Sequence, residues 1–134
     1  MSDWNTKVIE EFRANAGVVG GHWEGRKLLL LHHQGAKSGT WRVTPLACRR
    51  VDDSWAVFAS KAGADTNPAW YHNLKAHPDV RIEVGPDTFE VTATEMTGPK
   101  RDQVYAAQAA EWQVFADYER KTERTIPVIL LERR

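Results

Sequence analysis

Apolar and polar residues alternate along this chain with a period that changes several times, and each change marks an element. Between Asp3 and Ala14, Trp4, Val8 and Phe12 recur at i, i+4 and form one apolar stripe, so an amphipathic helix is expected, ending before Gly17. Packing on the body is its first role; a lid or membrane-surface role is weaker, because the polar face is not basic. His22 and Trp23 sit among Gly20, Gly21 and Gly25 and read as loop. Arg26 to Gln34 reads as a strand whose run Leu28 to Leu31 is apolar on both faces, hence covered on both sides. Val43 to Val51 and Trp55 to Ser60 are two further strands, joined by the turn residues Asp52, Asp53 and Ser54. Val80, Ile82 and Val84 alternate with Arg81 and Glu83, and Phe89, Val91 and Ala93 repeat the pattern after Gly85, Pro86 and Asp87. That is a hairpin with one wet face. Ile126 to Leu131 is a last strand, apolar on both faces.

Two more helices complete the pattern. Asn67 suits an N-cap and Pro68 the first helical position, with the helix running to about His77 and stopped by Pro78. Lys75 and His77 then complement its dipole, and Trp70 and Leu74 share a face bordered by Asn73. After Gly98 and Pro99, one helix is expected from about Lys100 to Lys121, with Trp112, Phe115 and Tyr118 spaced by three. Six strands and three helices without βαβ alternation predict a mainly β fold, an antiparallel barrel with peripheral helices. At 134 residues this is expected to be one domain, residues 1–134, with an N-terminal helix over 1–16 and the barrel over 26–134.

Charge narrows the function classes. The 18 basic and 18 acidic side chains cancel, so no global field draws the chain to nucleic acid, and any anion site must be local. Cys48 is the single cysteine, which excludes an internal disulfide and suits a reducing cytoplasm; a small buried strand residue is its ordinary role. No apolar run approaches the roughly 20 residues of a bilayer span, and the amino end lacks a signal-peptide pattern. The expected location is the cytoplasm, with peripheral association at the membrane surface as the alternative, and a monomer is favoured. The five histidines include no i, i+4 pair with a carboxylate partner, and adjacent His32 and His33 point to opposite faces of their strand, so no metal site is expected. Most of the six tryptophans are core, although some could line a site for a flat ligand.

The candidate chemistry begins in the turn after the first strand, where residues 35–46 read Gly-Ala-Lys-Ser-Gly-Thr-Trp-Arg-Val-Thr-Pro-Leu. Successive N–H groups in a glycine-containing turn, the hydroxyls of Ser38 and Thr40, and the cations Lys37 and Arg42 can together hold a phosphate or carboxylate. On its own chemistry the stretch reads first as an ordinary solvated turn. It is no P-loop: Ala36 precedes the lysine, and Pro45 breaks any helix that would have to follow. A second anion candidate lies at Ser60 to Ala64, where Lys61 precedes the N-terminus of the Asn67 helix.

Four motifs in order carry a resemblance. The 35–46 stretch, Ala59-Ser60-Lys61-Ala62-Gly63-Ala64, Asn67-Pro68-Ala69-Trp70-Tyr71-His72-Asn73-Leu74 and Arg124-Thr125-Ile126-Pro127-Val128 together resemble the deazaflavin-dependent nitroreductase family, split β-barrel proteins of the FMN-binding split-barrel type that use reduced coenzyme F420. The resemblance covers nearly the whole chain from Leu28. It implies that Lys37, Ser38, Gly39 and Arg42 hold the coenzyme's phosphate and the start of its glutamate tail, and that Pro45, Leu46 and Ala47 lie along its ring. It further implies that Ser60, Lys61, Gly63 and Ala64 meet the ring edge and phosphate region, while Asn67, Pro68, Ala69, Trp70 and Asn73 form the other wall. Ala62 stands where the family pattern has glycine. Trp112, Phe115 and Tyr118 stand where the nitroreductase that names the family has three tyrosines, and they become the substrate wall.

The expected activity is therefore that of an F420H2-dependent oxidoreductase, passing a hydride to a planar electron-poor substrate such as a quinone, an enone or a nitroaromatic. Tyr118 or Ser60 would protonate or hydrogen-bond the developing anion. A split-barrel enzyme using FMN or FAD, and a non-catalytic module that stores F420, are the alternatives.

Overall fold

A computed structural model describes residues 3–23 and 25–134, with the side chains of residues 3, 4 and 22 outside the described set. The elements are α1 (Asp3–Ala14), β1 (Leu28–Gln34), β2 (Trp41–Val51), β3 (Ser54–Phe58), α2 (Ala69–Ala76), β4 (Asp79–Val84), β5 (Asp87–Met96), α3 (Gly98–Glu111), α4 (Val114–Lys121) and β6 (Val128–Arg133). The strands close into a barrel in the order β1-β2-β3-β6-β5-β4, and every neighbouring pair is antiparallel. The six-stranded antiparallel barrel expected from the period-2 segments is thus present.

Two long strands make the closure possible. β2 pairs with β1 from Trp41 to Ala47 and with β3 from Cys48 to Val51, and β5 likewise divides itself between β4 and β6. Each therefore bridges two parts of the wall, and closure leaves no edge strand among the described residues.

Strand periodicity sorts the core. Leu29, Leu31, Trp55, Val57, Ile129 and Leu131 lie in one buried cluster inside the barrel, which α2 joins through Trp70 and Leu74. The alternate residues face outward under helices. Leu28 and Leu30 pack with Val8, Ile9 and Phe12 of α1, while Ala56, Phe58 and Val128 pack under Val104, Tyr105 and Phe115 of α3 and α4. This accounts for the unbroken apolar runs in β1 and β6, which are covered on both sides. The stripe expected on α1 is seen through Val8 and Phe12; the side chain of Trp4 lies outside the described residues.

Two expectations are corrected. The single helix from Lys100 to Lys121 is two helices, broken at Trp112, whose backbone is extended at φ −138°, ψ 98°. No glycine or proline marks this break. It is held instead by Tyr105, whose buried hydroxyl donates to the Phe115 carbonyl at 2.7 Å, and among the described residues four α-helices flank the barrel in place of the three expected. At α2 the N-cap is Pro68, with Ala69 the first helical residue, so Asn67 does not cap; its Oδ1 accepts from Arg124 at 2.7 Å. Elsewhere the strand bounds move by a few residues, as expected where pairing decides the ends.

Candidate functional site

The site begins where a ladder stops. β2 and β3 pair from Val51↔Ser54 to Cys48↔Val57 and then diverge. Continued register would set Pro45 opposite Ser60, but Pro45 has no N–H to offer and the chain at Ser60 turns away. Into the opening falls a slot of about 210 Å³ lined by Pro45, Leu46 and Ala47 on one side, Ser60, Lys61 and Ala62 on the other, and Pro68 and Trp70 from the start of α2. Trp70 is both core and wall, 7% exposed and packed with the barrel interior while facing the slot.

Aromatic rings close the remaining side. Trp23, Trp112, Phe115 and Tyr118 stand edge to face in sequence, with centroids 5.9, 5.5 and 5.4 Å apart, a spacing that favours quadrupole attraction. Trp112 belongs to the α3–α4 break and Phe115 and Tyr118 to α4, so the break is what turns all three rings inward. Burial pushes the Tyr118 phenol upward, which keeps its proton in place through the neutral range.

The Ser60–Gly63 loop is strained and tightly held. Ser60 is right-handed helical at φ −74°, followed by left-handed Lys61 at φ 46°, Ala62 at φ 55° and Gly63 at φ 82°. Left-handed non-glycine residues cost on the order of 1–3 kcal/mol each. A right-then-left pair directs successive N–H groups into a common hollow, and the N–H groups of Ser60, Lys61 and Ala62 enter no backbone hydrogen bond among the described residues. At Gly63 a Cβ would lie 2.9 Å from Lys121 Cβ and 3.1 Å from the Tyr118 carbonyl, so only glycine lets the loop seat on α4. Arg124 offsets the strain: its guanidinium donates to the carbonyls of Ala59, Ser60 and Ala64 and to Asn67 Oδ1, at 2.7–3.1 Å.

The Gly35–Thr40 turn is the second anion candidate. Gly35 N–H donates to Thr40 O, Gly39 N–H to Gly35 O, Thr40 N–H to Ser38 Oγ, and Ala36 N–H to Asn73 Oδ1. A Cβ on Gly35 would sit 2.3 Å from Ser38 Oγ. Most of the turn's donors are thus spent on its shape, and the N–H groups of Lys37 and Ser38 remain without a partner among the described residues. Lys37 and Arg42 are exposed and enter no ion pair among those residues, so both cations are available to an anion. Asn73 is buried on α2, which ties this turn to the helix that carries Trp70.

A cleft of about 330 Å³ meets the slot at Trp112 and is lined by Arg26, Lys27, Arg49, Arg50 and Glu111. Arg26 lies 4.8 Å over the Trp112 ring and donates to the Glu111 carbonyl, and Arg49 pairs with Glu111 at 2.9 Å. This cleft braces Trp112. Cys48 borders it, with burial pushing its thiol up to about 12, which leaves it protonated and inert.

Of the residues singled out in the sequence, the slot gathers Pro45, Leu46, Ala47, Ser60, Lys61, Pro68, Trp70, Trp112, Phe115 and Tyr118. Gly63, Ala64 and Asn67 shape its loop, Ala69 is exposed at the start of α2, Lys37, Ser38 and Gly39 lie on the neighbouring turn, and Arg42 lies just after it on β2. Trp23, Phe58 and Val114 also line the slot and had no sequence signal, and Arg124 had been quoted within a motif without a role. Among the described residues no cluster of three potential metal ligands exists, and no helix is long and apolar enough to cross a membrane.

The architecture is a closed antiparallel barrel with an apolar slot beside two cationic, N–H-rich turns. Residues 4–133 match the F420H(2)-dependent quinone reductase family, and the chain belongs to that family. It is 40% identical over 132 residues to an F420H(2)-dependent quinone reductase of Mycobacterium tuberculosis (strain ATCC 25618 / H37Rv), covering 92% of this chain and 85% of that one. Among solved structures it is similar to an F420-H2 dependent reductase (FDR-A), at TM-score 0.72 and 35% identity over 78% of this chain and 93% of the other. It is also similar to a chain described as a domain-swapped dimer, at TM-score 0.74 and 31% identity over 97% and 98%. The F420-dependent resemblance read from four motifs is borne out, and the FMN or FAD alternative is not needed.

Proposed function

We propose that this protein reduces a planar quinone at the slot between β2 and the Ser60–Gly63 loop, with F420H2 as the hydride source. When bound, the reduced deazaflavin supplies the hydride. The observation that carries the reading is the junction of two unlike surfaces: an apolar slot sized for a flat ring opens beside two turns that, among the described residues, hold N–H groups without a backbone partner, with Lys37 and Arg42 entering no ion pair there. A ligand with a flat apolar ring and an anionic tail fits that pair of surfaces.

The residues divide the work. Lys37, Arg42 and the Lys37 and Ser38 N–H groups hold the anionic portion. Pro45, Leu46 and Ala47, paired with β1 but not with β3, would line one side of the ring, and the N–H groups of the hollow at Ser60, Lys61 and Ala62 would donate to the ring edge. Trp112 and Phe115 stack the substrate and exclude water, which raises the worth of each polar contact. Tyr118 holds a proton at its Oη and donates it to the substrate oxygen that gains negative charge; Ser60 Oγ is the second donor in reach of the slot. Phe115 offers no hydroxyl, so the preferred acceptor is a quinone over a nitro group that needs several protons.

A cytoplasmic monomer is the working state, and the similar chain described as a domain-swapped dimer makes light scattering the check on it. The function is tested by anaerobic turnover of a water-soluble quinone with F420H2, FMNH2 or NADPH as the sole donor. Turnover with F420H2 alone supports the reading; turnover only with FMNH2 overturns it.

A further inference from the structure

A directed chain of hydrogen bonds joins the Gly35–Thr40 turn to α2, and its polarity follows from one backbone donor. Ala36 N–H reaches Asn73 Oδ1 at 2.9 Å, and a peptide N–H can only donate, so the oxygen of that amide is fixed at Ala36. Its NH2 end then faces His33 Nδ1 at 2.9 Å. An NH2 group can only donate, so Nδ1 carries no proton. The neutral ring keeps its proton on Nε2, which donates to Thr44 Oγ1 at 2.9 Å. His33 and Asn73 are 3% and 8% exposed, so water does not compete. Burial together with the facing charges of Arg42, the cross-strand partner, and His32 lowers the ring to about 4; from α2 the neutral amide of Asn73 faces it.

We propose that Asn73 and His33 are positioning residues that set the coenzyme-binding turn against the wall of the slot without touching the coenzyme. The geometry leaves Asn73 little else to do, since its amide is spent within the protein at both ends. What it fixes is Ala36, the residue directly before the Lys37 and Ser38 N–H groups, relative to the helix that carries Trp70. One rigid link thereby ties the anion-holding turn to the ring-holding slot. The inference rests on the reading of that turn as a coenzyme site.

The test uses Asn73→Ala, Asn73→Asp and Lys37→Ala in the full chain, with affinity for F420 and ¹⁵N NMR of the His33 ring as readouts. Asn73→Ala is expected to weaken F420 binding about tenfold, the value of one buried hydrogen bond. Asn73→Asp still accepts from Ala36 N–H, so binding should return towards the wild-type value, while its carboxylate draws a proton onto His33 Nδ1 and raises the ring's titration. A residue in direct contact with an anionic coenzyme would instead show Asn73→Asp binding worse than Asn73→Ala, and that result overturns the positioning role. So does a wild-type ring already protonated on Nδ1 at neutral pH, a measurement that needs no variant. If Lys37→Ala leaves affinity unchanged, the turn is no coenzyme site and the reading beneath the inference fails; if Lys37→Ala weakens binding and Asn73→Ala does not, only the inference fails.

Discussion

Arg124 Nη1 donates to Asn67 Oδ1 at 2.7 Å, and the same guanidinium holds the carbonyls of Ala59, Ser60 and Ala64. One side chain just before β6 thus fixes both ends of the loop that carries three consecutive left-handed residues. Arg124→Lys keeps the charge but loses the fork that reaches several acceptors. It is expected to lower stability by about 2 kcal/mol, from two or so lost bonds of about 1 kcal/mol each, and to weaken F420 binding as the loop relaxes. Denaturant titration and F420 titration check this, and an unchanged affinity would free the loop of any role in coenzyme binding.

Lys37 and Arg42 bear on function alone. Both are exposed and neither enters an ion pair among the described residues, so Lys37→Ala and Arg42→Ala should leave the thermal midpoint almost unmoved. Each should weaken F420 binding by about 1.5–3 kcal/mol, roughly tenfold to a hundredfold, with the loss shrinking as salt is added. Equal dissociation constants at low salt for both variants and the parent would remove the anion assignment.

Tyr118→Phe separates chemistry from binding. The change deletes a hydroxyl and almost no apolar contact, so the rings from Trp23 to Tyr118 keep their edge-to-face packing. General-acid help is typically worth 10² to 10⁴ in rate, and the loss should fall on kcat with F420 affinity preserved, provided chemistry limits turnover. Parent-rate turnover in the variant would pass the proton role to Ser60 or solvent.

His33 makes stability depend on pH with a definite sign. Its folded value of about 4 lies below the roughly 6.5 of an unfolded histidine, so in acid the unfolded chain takes up the proton first. The contribution is present in full above the unfolded value and is lost progressively as pH falls towards about 4. Denaturation midpoints at neutral pH and in mild acid should therefore fall less steeply in His33→Gln than in the parent. Parallel slopes would mean that the ring is charged in the fold.

The barrel was legible because its causes are local: alternation in β4 and β5 and doubly apolar runs in β1 and β6 depend on the residues themselves. Most slot residues came from motifs, since glycines, cations and the Asn67-Pro68 step keep their order along the chain. What stayed hidden has tertiary causes. The break at Trp112 carries no glycine or proline and exists because Tyr105 takes the Phe115 carbonyl. Asn67 has the chemistry of a cap, yet Arg124, 57 residues away, claims its oxygen. His33 reaches the diagonal Thr44 only because β1 and β2 pair in one register, with His33 opposite Arg42 and Thr44 opposite Leu31.

The central claim, that F420 binds in the slot between β2 and the Ser60–Gly63 loop, is most directly tested by tryptophan fluorescence. Trp23, Trp70 and Trp112 line that slot, whereas Trp41 is exposed on the surface and Trp55 is buried inside the barrel. Titrating F420 into the parent, Trp70→Phe and Trp112→Phe should quench the parent strongly, and each variant should lose part of that quenching. FMN should quench weakly in all three. Quenching by F420 that is identical in the parent and both variants would put the coenzyme elsewhere and contradict the account.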